Sequence, residues 1–450
     1  MQFETRNPYN LEKLKTYSYL NDHQIETKLA QLKQDQQIWS KMSLESRLSY
    51  LEKISIRFDE QKSSLAALMT SEMGKPLKQS LIEISKCAKA LSEVAPLAKQ
   101  VIVESEIAGN FKESKLVPNS YGIIFSVQPW NFPFWQVVRM ATSALVSGNL
   151  IALKHSDYVA GCAEQIEKLF KFDDIQLIQN LPLTHEQASK VIAHSDVAMV
   201  TFTGSTQSGA LVAATAAAQI KKSVLELGGS DAYIVLEEAD LNLAVEKILK
   251  SRMINSGQSC ICAKRAFVHH SLAASFKKLF IEKMNQLVLG DPQNLETDVG
   301  PLANSKFVQQ IENQIAEAIK LGAKFINLKT EYPNGFSKMG IIDFENNLSA
   351  FNNIEIFGPV LSFYQFTDVN DVLNTLSKST FGLAGGIFSK NIEKAKQVAN
   401  LYNAGTVVIN DYLQTDVRVP FGGKKCSGYG YESGRLGLEE FISWKVISCG

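Results

Sequence analysis

Apolar residues recur every three to four positions over 24–47 and again over 46–71, the spacing of one buried helical face. Gly74-Lys75-Pro76 interrupts the pattern, because glycine and proline both break a helix. A further helix is expected over roughly 78–98. From 121 onwards the rhythm changes. Residues 121–127 form a short apolar run that stops at Gln128-Pro129 and reads as a strand. A helix over about 134–146, a strand over 150–154 and a helix near 158–170 follow. Next come a strand near 175–179, a helix near 185–193 and a strand over 197–202. Strands alternating with helices predict a parallel, doubly wound sheet. Such sheets bind ligands beyond the carboxyl ends of their strands, where Lys154 and Gly204 fall.

A second alternating region starts near Gly229, with a strand at 232–235 and a helix at 240–254 that leads to Cys260. A strand at 264–269 and helices over 274–287 and 303–320 continue it, separated by a polar loop at Gly290-Asp291-Pro292. Pairing beyond 320 is not legible from the pattern; Gly358-Pro359, Gly385-Gly386 and Gly422-Gly423 mark turns.

A chain of 450 residues exceeds one ordinary core, so two or three domains are expected. With 45% apolar and 20% charged residues the composition is globular. A formal net charge of zero gives no electrostatic reason to bind nucleic acid or a membrane surface. The six cysteines show neither CxxC pairs nor Cys/His ligand spacing, so no metal site is expected. The start of the chain lacks an apolar core like that of a secretion signal, and no run of 18 apolar residues occurs. A cytoplasmic location is therefore expected.

Four separated stretches carry chemistry. A free cysteine usually packs as a small apolar residue, but Cys260 follows Gly257-Gln258-Ser259, small and polar residues that leave a sulfur accessible. Glu226 closes an apolar strand at 223–225 and precedes two glycines; it could cap a turn or serve as a base. Asn131, between Trp130 and Phe132, reads alone as a turn residue. Phe202-Thr203-Gly204-Ser205 follows a β-rich run and opens an alanine-rich helix over 210–220. The amides at such a helix start favour a pyrophosphate.

Together, Pro129-Trp130-Asn131-Phe132-Pro133, Phe202-Thr203-Gly204-Ser205, Glu226-Leu227-Gly228-Gly229 and Asn255-Ser256-Gly257-Gln258-Ser259-Cys260 resemble the NAD(P)-dependent aldehyde dehydrogenase family. The resemblance runs from Asn7-Pro8 to Gly437. Trp135-Gln136-Val137-Val138-Arg139 and Leu153-Lys154-His155-Ser156 look like the short-type succinate-semialdehyde dehydrogenases. The resemblance implies an α/β fold with two Rossmann-type open-sheet domains and a small β oligomerisation element. The cofactor-binding domain would take 1–104 and 121–228, the catalytic domain 229–425, and the oligomerisation element 105–120 and 426–450. A homodimer or homotetramer is implied.

By the same resemblance Cys260 is the nucleophile, Glu226 the base that activates the deacylating water, and Asn131 the side-chain oxyanion donor. Trp130, Lys154, Asp157, Gly204, Ser205, Leu227, Glu355 and Phe357 would bind the cofactor. Asp157 stands where many NAD-preferring relatives carry an acid that repels a 2′-phosphate, and it could equally cap the helix that follows; NAD is expected, with NADP possible. Arg139 and Arg418 would receive the carboxylate of a small aldehyde, with Trp135 and Phe132 as apolar walls. Some longer relatives place an arginine where this chain has Ile254, a departure that weakens transfer of their scheme for binding that tail. Cys262 is either a packing residue or the redox partner of Cys260. A broad aliphatic or glutarate-semialdehyde dehydrogenase and a non-catalytic homologue of the fold remain as alternatives.

Overall fold

Ile123–Gln128 is the first strand of a six-stranded sheet, and only Val127 in it is not fully buried. A strand covered on both faces is mostly apolar, and the two polar residues here, Ser126 and Gln128, bond to each other at 2.9 Å. The computed structural model describes residues 1–329 and 331–450. The sheet order is Gly428–Tyr429, Lys222–Glu226, Val197–Thr203, Ile123–Gln128, Leu150–His155 and Ile178–Asn180. All its pairings are parallel except that of Gly428–Tyr429. The chain winds outward from Ile123–Gln128 to one edge and then returns to its other side at Val197–Thr203. The switch point therefore lies between these two strands, where a crevice opens beyond their carboxyl ends. Trp130-Asn131 leaves the first and Gly204-Ser205 leaves the second.

A seven-stranded sheet follows in the order Lys324–Asn327, Gly340–Asp343, Val360–Phe366, Arg265–His269, Ala232–Val235, Ala384–Phe388 and Thr406–Ile409. It too is parallel, apart from its antiparallel edge strand Lys324–Asn327. Separate apolar clusters cover its two faces, one around Ile234 and Phe267, the other around Tyr233 and Val268. Successive residues of a strand point to opposite faces, so neighbours in sequence serve different cores.

The expected helical stretch 24–71 resolves into three helices, Asp22–Trp39, Leu44–Glu60 and Lys62–Met73. Ser43 caps the second by accepting a bond from the Ser46 amide at 3.2 Å, and Gly74 ends the third with a left-handed φ of 77°. The stretch 78–98 breaks into Leu77–Glu93 and Ala95–Val101, because Pro96 suits only the first turn of a new helix. An N-terminal hairpin, Gln2–Arg6 with Lys13–Ser18, was not expected from the pattern.

A third, three-stranded sheet joins Ser105–Glu106, Glu113–Ser120 and Ile442–Cys449. Of the 426–450 stretch, only Ile442–Cys449 belongs to this arm. Gly428–Tyr429 completes the six-stranded sheet and helix Gly434–Glu440 packs beside Ala95–Val101. Among the described residues no helix is long and apolar enough to cross a membrane.

Candidate active site

Helix Leu241–Met253 delivers the chain to a left-handed turn in front of the thiol. Asn255, Ser256 and Gly257 have φ of 51°, 54° and 81°, a run that L-residues adopt only at a cost of about 1–2 kcal/mol each. A side chain at Gly257 would lie 2.3 Å from the Gly358 backbone. The strained turn is held from several sides. The Asn255 amide donates to Gln79 Oε1 at 2.7 Å, Ser256 Oγ to the Gly300 carbonyl at 3.0 Å, and Arg252 to the Gly257 carbonyl at 2.7 Å. Its consequence is that Cys260 emerges half-exposed at the wall of a cavity. Cys262 is buried beneath the same loop, its thiol donating to the Ser259 carbonyl at 2.9 Å, so a bond to Cys260 would require it to leave that position.

Asn131 is buried, and its Nδ2 donates to the Gln258 carbonyl at 3.0 Å. That bond ties it to the cysteine loop and leaves its second amide hydrogen for a ligand. Asn255 Nδ2 donates back to the Asn131 carbonyl at 2.7 Å. Asn131 thus sits against the nucleophile's loop, as an oxyanion donor requires.

Glu226 ends its strand between Thr203 and Gly428. Its carboxyl is buried and neither oxygen has a hydrogen-bond partner among the described residues. Burial pushes its pKa well above 4.5, Arg139 opposes the shift and Glu432 adds to it. Burial also pushes the Cys260 thiol up to about 12, against the pull of Lys264 and Arg139. Burial thus favours the neutral form of both groups.

The cavity in front of Cys260 has a volume of about 860 Å³. Phe132, Trp135 and Phe421 line it, together with Arg139 from helix Pro133–Val146. Arg139 is buried and its Nε donates to Glu432 at 2.6 Å, while its Nη2 has no partner among the described residues. Arg418 does not meet the expectation of a second substrate arginine. It is exposed, forks onto Asp416 at 2.9 and 2.5 Å, and is absent from the cavity wall. An acid two residues earlier satisfies the guanidinium outside the cavity.

The residues expected around the cofactor gather at the switch point. Ser205 caps helix Thr206–Ala218 by accepting from the Ser208 amide at 3.2 Å, and the Gly204 amide donates to the Glu226 carbonyl at 3.0 Å. Leu227 is buried, with its side chain filling the space that a Cβ at Gly209 would take. Lys154 Nζ lies 3.4 Å from Asp157, which also accepts from the Tyr19 hydroxyl at 2.6 Å. Asp157 begins a short 3-10 turn while the preceding Ser156 holds the cap position. Trp130 stacks on Phe307 with centroids 4.8 Å apart and meets Phe357 edge-on at 6.0 Å. Glu355 pairs with Lys264 at 3.0 Å, and a Cβ at Gly228 would fall 2.4 Å from its carboxylate. A glycine cradle, a capped helix start and an orphaned carboxyl together suit a dinucleotide carrying a nicotinamide.

The motifs did not single out Tyr19, His155, Lys264, Phe307 or Glu432, and Lys86 went unremarked in its helix. His155 is held neutral, its pKa pushed down to about 4 by burial. Its Nε2 donates to the Pro133 carbonyl at 2.9 Å and its Nδ1 accepts from Ser156. The Lys154 segment is thereby pinned to the start of helix Pro133–Val146. No local signal betrays such a role, because Pro133, the partner that sets it, is 22 residues away in sequence.

A thiol facing an apolar cavity, an amide tied to its loop and a dinucleotide crevice behind them define a cysteine-dependent oxidoreductase of carbonyl compounds. The aldehyde dehydrogenase family model matches residues 1–447, and the chain belongs to that family. It is 34% identical to a probable succinate-semialdehyde dehydrogenase [NADP(+)] of Synechocystis sp., over 99% of both chains. It is 32% identical to the succinate semialdehyde dehydrogenase [NAD(P)+] of Escherichia coli K12, over 98% of this chain and 96% of that one. The crystal structure of succinic semialdehyde dehydrogenase from Streptococcus pyogenes with NADP+ superposes with a TM-score of 0.94 at 31% identity, covering 99% of each chain. A betaine aldehyde dehydrogenase point mutant from Staphylococcus aureus, in complex with NAD+, gives 0.93 at 28% identity, covering 99% of this chain and 92% of that one.

Proposed function

We propose that the protein oxidises succinate semialdehyde to succinate, using NAD or NADP, through a thioester on Cys260. The observation that carries this reading is the cavity itself. Cys260 faces apolar walls made by Phe132, Trp135 and Phe421, with the Arg139 guanidinium in the same lining. Such walls suit a short aliphatic chain, and a cation among them suits an anionic tail. The named relatives act on the same aldehyde.

Cys260 gives its proton to water in the cavity, and its sulfur bonds to the aldehyde carbon as the carbonyl π bond opens onto oxygen. The carbonyl oxygen becomes an oxyanion, held by the spare Asn131 N–H and the Cys260 amide. When bound, the nicotinamide supplies the acceptor for the hydride that turns this adduct into a thioester. Glu226 then takes a proton from water as its oxygen adds to the thioester carbon, and the acid leaves with the thiol restored. Lys154 and Asp157 would hold the adenosine ribose, Gly204, Ser205 and Leu227 the pyrophosphate side, and Trp130, Glu355 and Phe357 the nicotinamide side. In this reading 1–104 and 121–228 form the cofactor domain and 229–425 the catalytic domain, in a cytoplasmic dimer or tetramer.

Initial rates of NADH and NADPH formation with succinate semialdehyde, glutarate semialdehyde and butanal test the proposal. The expected result is kcat/KM at least about tenfold higher for succinate semialdehyde than for butanal, the worth of one charged contact. Cys260→Ser should abolish turnover of all three. Equal use of butanal would retain an aldehyde dehydrogenase and remove this substrate.

A further inference from the structure

We propose that Lys86, on helix Leu77–Glu93, receives the carboxylate of the aldehyde and so sets substrate choice, in the place that Arg418 leaves vacant. The inference rests on the semialdehyde reading and names its recognition group. Lys86 lines the same cavity as Cys260 and Arg139. Its ammonium sits over the Trp135 ring, 3.9 Å from the centroid, and donates to Thr415 Oγ1 at 2.5 Å. Among the described residues it forms no ion pair, whereas Arg139 is bound to Glu432, Lys89 to Glu93 and Arg418 to Asp416. A half-buried ammonium held by one hydroxyl and one ring keeps a donor for an anion. The aromatic wall excludes water from one side, which strengthens attraction to a carboxylate. Arg139, by contrast, spends its Nε on Glu432 and keeps only part of its fork.

The surroundings give Lys86 a pH dependence. Burial and then the nearby Arg139 lower its pKa to about 8, while Cys87, Glu83 and Asp416 pull the other way. On its own helix Lys89 and Glu93 also border the cavity. From the opposite walls Glu246, Lys250, Lys283 and Asp298 complete the charged groups. Lys86 therefore carries its charge below pH of about 8 and loses it above.

The experiment compares kcat/KM for succinate semialdehyde with that for butanal, as a ratio, across pH for wild type, Lys86→Gln and Lys86→Arg. The ratio cancels the shared titration of Cys260 and Glu226 and any general loss of folding. We expect Lys86→Gln to lower it roughly tenfold or more, through KM, as loss of a charge-assisted contact does. In wild type it should fall as pH rises past about 8, and in Lys86→Arg, whose charge persists, it should stay high. A ratio within about twofold of wild type in Lys86→Gln, or the same alkaline fall in Lys86→Arg, overturns the assignment. A wild type with no preference for the semialdehyde removes the proposed substrate, and this inference with it.

Discussion

Glu226 and Cys260 share one difficulty: burial favours the neutral form of each, while the proposed chemistry needs both ionised. For Glu226 the sign is definite. A carboxyl raised well above 4.5 stays protonated where an ordinary one has ionised, so the deacylating base gathers only as pH climbs. Under saturating substrate kcat should rise with pH through a midpoint well above that of a free carboxyl. Glu226→Gln should leave a single burst of reduced cofactor followed by little turnover, visible in rapid-mixing absorbance. A wild-type kcat flat from pH ~5 to ~9, with no burst in the variant, would remove Glu226 from the deacylation step. The same carboxyl contributes stability in full below its unfolded pKa and loses that contribution as pH climbs through its raised folded pKa. At neutral pH the glutamine variant should therefore melt no lower than wild type, as at other sites where activity is held at the expense of stability.

Helix Pro133–Val146 shows why some elements were legible and others not. Every one of its residues is buried, and a helix covered all round still announces itself by length between Pro133 and Gly148. What anchors it did not announce itself. Glu83, far earlier in the chain, accepts from the Phe134 and Trp135 amides at 3.0 Å each and pairs with the buried Lys75. Nothing in the sequence around Glu83 distinguishes it from a solvent-facing helix residue. Glu83→Ala orphans two amides and a buried ammonium, and should cost about 3–5 kcal/mol in urea unfolding. A loss under about 1 kcal/mol would mean that water already screens the pair. The alternation of strands and helices was legible because each element declares its own period. The site motifs were legible because Cys260, Glu226 and Asn131 lie in short runs with glycine or proline beside them. Lys86, Glu432 and the idle Arg418 were not, because their partners are set by tertiary packing. The arginine at 418 matched a pattern, yet Asp416 satisfies it from within its own loop.

At the scale of the whole molecule, the three-stranded arm carries exposed apolar side chains, with Phe111 at 59% and Val446 at 56% of their free surface. Apolar residues on a sheet with open edges suit a second subunit. Phe111→Lys with Val446→Lys should lower the mass measured by sedimentation, and an unchanged mass would move the interface elsewhere. Residues 428–441 also close the six-stranded sheet and its helices. Gly428 pairs with Glu226, Glu432 holds Arg139, and the Phe441 carbonyl accepts from Asn149 at 2.8 Å. A chain emerging from the ribosome thus exposes its cysteine, acid and amide well before the segment that fixes them exists. Domains otherwise tend to fold in order of synthesis; here the earlier sheet must wait for a segment made after the later one. A polypeptide that stops short of residues 428–441 cannot assemble the pocket around its thiol, so the reactive centre is complete only once that late segment has been made.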